Sequence, residues 1–123
     1  MTAFGEIMKR AVESTPGAIG GAFADSEGEM VDSFATYDLH EWACLTAQYG
    51  IVLNQLHSAF GTWHFGGPEY FIAQHTDLDV VVHAVAQGYY ALLAISDDRG
   101  SAPLAIALAS LRTAAAELRR EMA

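Results

Sequence analysis

Two runs of consecutive bulky residues constrain the fold of this 123-residue chain more than any other feature: Val80-Val81-Val82 and Ala91-Leu92-Leu93. Successive side chains of a strand point to opposite faces, so a strand that is apolar at every position must be covered on both. Such a sheet needs helices on each side. The stretch Leu78 to Ile95 is also the nearest approach to a membrane span. Asp79, His83, Gln87 and Gly88 interrupt it, and its valines favour strands joined by a turn.

The rest of the chain supplies the covering layers. Phe4, Ile7, Met8, Ala11 and Val12 recur at helical spacing, and Thr15-Pro16-Gly17 ends that helix. Ala18–Ala24 and Met30–Thr36 flank Asp25-Ser26-Glu27-Gly28 as a hairpin, with Gly28 supplying a positive φ. Asp38 is an N-cap with Glu41 three residues on, opening a long helix from Leu39 to Phe60. Three strands are expected at Glu69–His75, Leu78–Val85 and Tyr89–Ile95, with turns at Thr76-Asp77 and Ala86-Gln87-Gly88. Ser101 and Pro103 open a last helix whose stripe Leu104, Leu108, Leu111, Ala115 and Leu118 runs to Glu121, with Arg119 and Arg120 at its C-terminal end. The order is α-β-β-α-β-β-β-α. The fold class expected is α/β (α+β): a three-layer α/β/α sandwich around a five-stranded antiparallel sheet, with residues 1–123 as one domain.

Charge and motif content narrow the function. Six basic against fifteen acidic residues give −9, which repels nucleic-acid phosphates and anionic lipid, so neither nucleic acid nor membrane insertion is expected. The lone Cys44 forms no internal disulfide, and the N-terminus lacks an apolar signal region, so a cytoplasmic location is expected. The acids Asp25, Glu27, Glu29, Asp32, Asp77, Asp79, Asp97 and Asp98 fall at turns and read as solvated loop carboxylates. Asp25–Glu29 lacks the ligand spacing of a calcium loop. Gly61-Thr62-Trp63-His64-Phe65-Gly66-Gly67 has no following lysine or helix, so it is not a phosphate loop. His40, His57, His64, His75 and His83 form no HxxxH or HxH pair, and no GxSxG or HExxH is present. No catalytic, cofactor-binding or metal residue is therefore assigned, no cofactor is expected, and the chain is not read as an enzyme.

The long helix carries the one positive signal. On a 100° wheel its bulky residues Trp42, Leu45, Tyr49, Leu53, Leu56 and Phe60 fall between about 240° and 320°. Between Trp42 and Phe60 there is no charged residue, although a surface helix of so acidic a chain should carry some. Ala43, Ala47, Gly50 and Asn54 form a strip of small groups, with Cys44 and Ile51 beside it, which permits close approach of another helix. A helix–helix dimer seam accounts for this better than a bland exposed face, and it would make Cys44 slow to react.

In this order the elements resemble the roadblock (dynein light chain) family. The similar features are Pro16–Gly28 as first strand and hairpin, the capped helix from Asp38, the Gly66-Gly67 loop, the strand pair turning at Gly88, and the closing helix. The aromatic Trp63-His64-Phe65 and the alanine-rich last helix have no counterpart in that pattern. The resemblance implies a homodimer that packs the second helices together and pairs the third strands, Tyr70, Phe71 and Ile72, edge to edge. It further implies a Ras-like small GTPase as partner, with this chain as activating protein or scaffold. In the gliding-motility regulator type the dimer reshapes the GTPase site without donating an arginine finger. A dimeric scaffold for some other protein, and a small-molecule sensor on a profilin-like sandwich, are the alternatives.

Overall fold

The computed structural model describes residues 2–36, 38–96 and 104–123. Eight elements follow in the expected order: α1 (Ala3–Glu13), β1 (Ala18–Ala24), β2 (Met30–Ala35), α2 (Leu39–Phe60), β3 (Tyr70–Gln74), β4 (Leu78–Ala86), β5 (Tyr89–Ser96) and α3 (Leu104–Met122). Boundaries differ from the sequence reading by at most a residue or two. The helix start expected at Ser101 and Pro103, and the turn acids Asp97 and Asp98, lie outside the described residues.

The strands form one antiparallel sheet in the order β2-β1-β5-β4-β3. Val80 pairs with Ala94, Val81 with Leu93 and Val82 with Leu92, which sets the two consecutive apolar runs side by side at the centre. Alternation then divides them. Val81, Val85, Ala91, Leu93 and Ile95 join Met8, Val12, Leu111 and Leu118 in a core under α1 and α3. Val80, Val82, Tyr90, Leu92 and Ala94 join Trp42, Tyr49 and Leu53 in a second core under α2. Both faces are covered, as continuous hydrophobicity requires.

Local chemistry sets the element ends. Thr2 Oγ1 accepts from the Gly5 N–H at 3.1 Å, and Asp38 Oδ2 from the Glu41 N–H at 3.0 Å, each satisfying a free donor at a helix start. In the β1–β2 turn Asp25 Oδ1 accepts from the N–H groups of Glu27 (2.9 Å) and Glu29 (3.0 Å), while Gly28 adopts φ +84°. The β4–β5 turn has positive φ at both Gln87 (56°) and Gly88 (84°), the combination whose twist matches a two-residue hairpin. No helix among the described residues is long and apolar enough to cross a membrane.

The rotation of α2 departs from the sequence reading. Its buried residues are Trp42, Thr46, Tyr49, Gly50 and Leu53, so the inward face is turned roughly 40° from the bulky stripe toward the small residues. Val52 is 37% exposed, and Phe60, in line with the buried Trp42 but at the last position of the helix, is 41% exposed. Two contacts hold this rotation. Tyr90 Oη donates to the Thr46 carbonyl at 2.7 Å, and the absence of a side chain at Gly50 lets the Tyr90 ring reach the helix backbone.

Candidate functional site

The rotation gives α2 two unlike flanks. One leans on this chain's own β1–β2 turn. Asn54 Nδ2 donates to the Ser26 carbonyl at 3.3 Å, and a Cβ placed on Gly28 would lie 3.3 Å from Ala47 Cα. Ala47 is half-buried there and Gly50 is buried against Tyr90. Within the small strip, Ala47 and Gly50 thus make close approaches inside this chain. Those approaches serve this chain's own hairpin turn and tyrosine, because small side chains admit backbone and phenol equally well.

The opposite flank overhangs β3. Tyr49 packs its ring 6.0 Å from that of Phe71, and its hydroxyl hydrogen-bonds His75 Nε2 just beyond the end of β3. On this side Leu45 and Leu56 are half-buried and Val52 is exposed. Ile51, at 53% exposure, lies on the outward line between the flanks and shares a shallow concavity with Asn54, Gln55, Ser58 and Ala59. Ala43 is half-buried. Cys44 is exposed, its Sγ 3.8 Å from His40 Nε2. Nothing among the described residues buries that thiol.

β3 ends the sheet: among the described strands it pairs with β4 alone. Phe71 faces α2, whereas Tyr70 and Ile72, each 37% exposed, face the α3 side. Tyr70 stacks on the buried His83 ring at 6.1 Å, and the Arg112 guanidinium lies 5.3 Å over its face. Of the expected edge residues Tyr70, Phe71 and Ile72, Phe71 alone faces the α2 side, and Tyr70 and Ile72 line the opposite face of the same edge strand. A wheel centred on bulk placed Leu56 and Phe60 inside, whereas Leu56 is half-buried and Phe60 exposed, and Val52 beside them is exposed as well.

The loop joining α2 to β3 is tied down. Trp63 N–H donates to the Phe60 carbonyl (3.1 Å), Gly66 N–H to the Trp63 carbonyl (3.0 Å), and His57 Nε2 lies 3.0 Å from the Pro68 carbonyl. Trp63 and Phe65 stack on each other, with centroids 5.8 Å apart and planes 16° from parallel, rather than folding back on the sheet. They are 57% and 66% exposed.

The five histidines are dispersed among these separate contacts, and among the described residues no three His, Cys, Asp or Glu side chains gather as a metal cluster. Burial pushes the Tyr90 phenol up to about 12, with the Asp25 carboxylate adding to the rise, and burial also raises Tyr49. Both are neutral hydrogen-bonding groups at physiological pH. An open groove of about 400 Å³ between α1 and α3 is bridged by the Arg10–Glu117 ion pair at 2.5 Å. What the outward α2 flank and β3 edge offer chemically is a mixture of apolar and neutral polar side chains beside the backbone of an edge strand, the kind of surface that binds protein.

No family model matches the chain, and none of the curated proteins matches it. Solved structures do. MglB of Myxococcus xanthus superposes with a TM-score of 0.85 at 11% identity, covering 99% of this chain and 96% of that one. A Roadblock/LC7 domain from Streptomyces avermitilis gives 0.83 at 12% identity, covering 95% of each chain. The gliding protein MglB from Thermus thermophilus gives 0.82 at 14% identity, covering all of this chain and 95% of that one. Superpositions of this closeness over nearly the whole of each chain show that this chain has the Roadblock/LC7 fold.

Proposed function

We propose that the chain is a homodimeric regulator of a Ras-like small GTPase, acting through its surface with no reactive group of its own. The observation that carries this reading is the likeness of fold, over nearly the whole chain, to the gliding protein MglB. The surface agrees with it. In a chain of net charge −9, α2 carries no Asp, Glu, Lys or Arg from Trp42 to Phe60, and the strand Tyr70–Gln74 carries none either. Two copies approaching there bring no carboxylates together.

The dimer seam is the flank of α2 over β3, with Val52 and Leu56 and with Ile51 and Phe60 at its borders, continued along the edge strand of Tyr70, Phe71 and Ile72. Pairing two β3 edges removes the exposed strand backbone that would otherwise recruit other chains. Of the small strip, Ala43, Cys44 and Asn54 border this seam rather than form it. A GTPase regulator of this kind needs only to bind one state of the switch region better than the other.

A GTP-hydrolysis assay on a cognate Ras-like GTPase, with and without this chain, tests the reading, with sedimentation of the chain alone as its companion. Stimulated hydrolysis by a dimer is the expected result. Binding without stimulation assigns the scaffold role. A chain that neither binds the GTPase nor alters hydrolysis overturns the proposal.

A further inference from the structure

Charge is divided unevenly between the layers. α1 and α3 carry five of the six basic residues and four of the fifteen acidic ones, so the acidic excess of the chain lies elsewhere. Within α3 the division is finer. Arg112 and Arg119 fall about 20° from each other around the helix, whereas Glu117 and Glu121 lie about 140° and 180° from Arg112. Glu117 turns to Arg10 on α1. The flank of α3 over β3 and β4 therefore carries two arginines and no acid. We infer that it is a docking site for an acidic segment of a protein partner, whose carboxylates take the Arg112 and Arg119 guanidinium forks. The site lies on the face of the sheet opposite α2 and does not depend on the GTPase reading.

This chain holds both arginines without neutralising either. The Arg112 guanidinium lies 5.3 Å over the Tyr70 ring. Tyr70 stacks in turn on its cross-strand partner His83 at 6.1 Å, and His83 is buried with Nδ1 2.7 Å from the Ala84 carbonyl. Two residues further along β4, the Val85 carbonyl accepts from Arg119 Nε at 2.6 Å. A guanidinium laid on an aromatic face keeps the N–H groups of its edge for other acceptors, and one bound through Nε keeps its terminal nitrogens. Among the described residues the ion pair is Arg10–Glu117, and neither Arg112 nor Arg119 meets a carboxylate. The acids nearest along the strands do not serve them. Asp79 is buried four residues back along β4, and Glu69, one residue before Tyr70, points to the other face.

Charge complementarity selects the occupant. The two arginines stand about 10 Å apart along the α3 axis, the reach of about three residues of extended chain, so one short segment with two acids meets both. A carboxylate accepts two N–H groups of one guanidinium at once, which neutral side chains match poorly. Nucleic acid and anionic bilayers spread their charge over an area as large as this molecule, and so meet the whole field of net charge −9. A short segment meets the local field, because solvent ions screen the rest. The chain's own acidic turn is a poor occupant: Asp25 already accepts from the Glu27 and Glu29 N–H groups, and two copies repel.

Hexaglutamate capped at both ends is the probe, titrated into the isotope-labelled chain with capped hexaglutamine as the neutral control. The expected result is saturable binding of hexaglutamate alone, with the Nε–H resonances of Arg112 and Arg119 shifted. Arg112→Gln or Arg119→Gln should raise its dissociation constant about tenfold or more. Arg120→Gln removes the same charge from another side of the helix and should stay within about threefold. Circular dichroism should stay unchanged in all three variants. No shift at millimolar hexaglutamate overturns the site, and equal weakening by all three substitutions overturns it in favour of diffuse attraction. Inorganic phosphate that displaces hexaglutamate at equal concentration overturns the peptide in favour of a small anion. Sedimentation with phosphatidylserine vesicles that Arg112→Gln abolishes overturns it in favour of lipid. Self-association that Arg112→Gln abolishes overturns it in favour of a second copy. Hydrolysis of GTP is read in none of these measurements, so failure of the site leaves the function proposed above in place.

Discussion

The backbone of α2 at Gly50 lies against the phenol of Tyr90 so closely that a Cβ there would overlap the hydroxyl and sit 3.0 Å from Cζ. This contact, together with the Tyr90 hydrogen bond to the Thr46 carbonyl, fixes which side of α2 faces the sheet and hence which side faces out. Gly50→Ala gains about 1 kcal/mol of helix propensity but must displace a buried ring, an overpacking cost of about 1–3 kcal/mol or more. A net loss of stability in urea denaturation is expected. Adding Tyr90→Phe should recover part of it, because the overlapping hydroxyl is gone. A neutral or stabilising Gly50→Ala would show that the helix can rotate away.

The raised Tyr90 ionisation makes stability depend on alkaline pH. In the unfolded chain the phenol ionises near its ordinary value of 10.0, and in the folded chain only at about 12. Its contribution is complete below the first value and is lost as pH rises through that window, because the unfolded state releases its proton first. The difference corresponds to about 3 kcal/mol at most, and to less once solvent screening is counted. Urea midpoints measured across this range should fall in the intact chain and fall less in Tyr90→Phe. Equal slopes in the two would remove Tyr90 as the cause.

The two flanks of α2 should answer differently to charge. Ala47→Glu sets a carboxylate under the chain's own hairpin turn, so a loss of folding stability of about 1–3 kcal/mol is expected. Val52→Glu falls on the exposed flank over β3 and should leave the thermal melt within a few degrees while shifting light scattering to the monomer. The reverse pattern would return the seam to the small strip.

Cys44 is exposed on the outward line of α2, away from the Val52 flank. Modification by a thiol reagent in the native protein should run within about tenfold of the rate in denaturant, since access and thiolate fraction set that rate. Slow labelling that accelerates only on unfolding would place Cys44 inside a seam, as the sequence alone led us to expect.

Arg10, Arg112 and Arg119 are engaged within the chain, with Glu117, the Tyr70 ring and the Val85 carbonyl respectively. Alanine at any one of them, or at Arg120, should keep stimulation of a cognate GTPase within about threefold. A true arginine finger would cost about a thousandfold or more. A single arginine substitution that abolishes hydrolysis while GTPase binding persists would sink the surface mechanism.

Local and near-local chemistry made the elements legible. Asp38 and Glu41 mark the start of α2, Gly28 and Gln87-Gly88 mark turns that need positive φ, and the doubly apolar strands require helices on both faces. All of these are written in spacing and residue type, so the order and the three layers could be read from the chain. The candidate site was only half legible. Tyr70, Phe71 and Ile72 read as one segment, but which edge of the sheet they form is a matter of pairing between distant strands. The absence of Asp, Glu, Lys and Arg from Trp42 to Phe60 set α2 apart, but not which of its faces lies outward. That was decided by Tyr90 on β5 and the Ser26–Gly28 turn, which occupy the side left open by Gly50 and Ala47 and turn Val52 outward. A helical wheel weighs only the residues of the helix itself. Its rotation is set by what packs against it, and those groups lie 28 residues away along the chain on one side and 44 on the other.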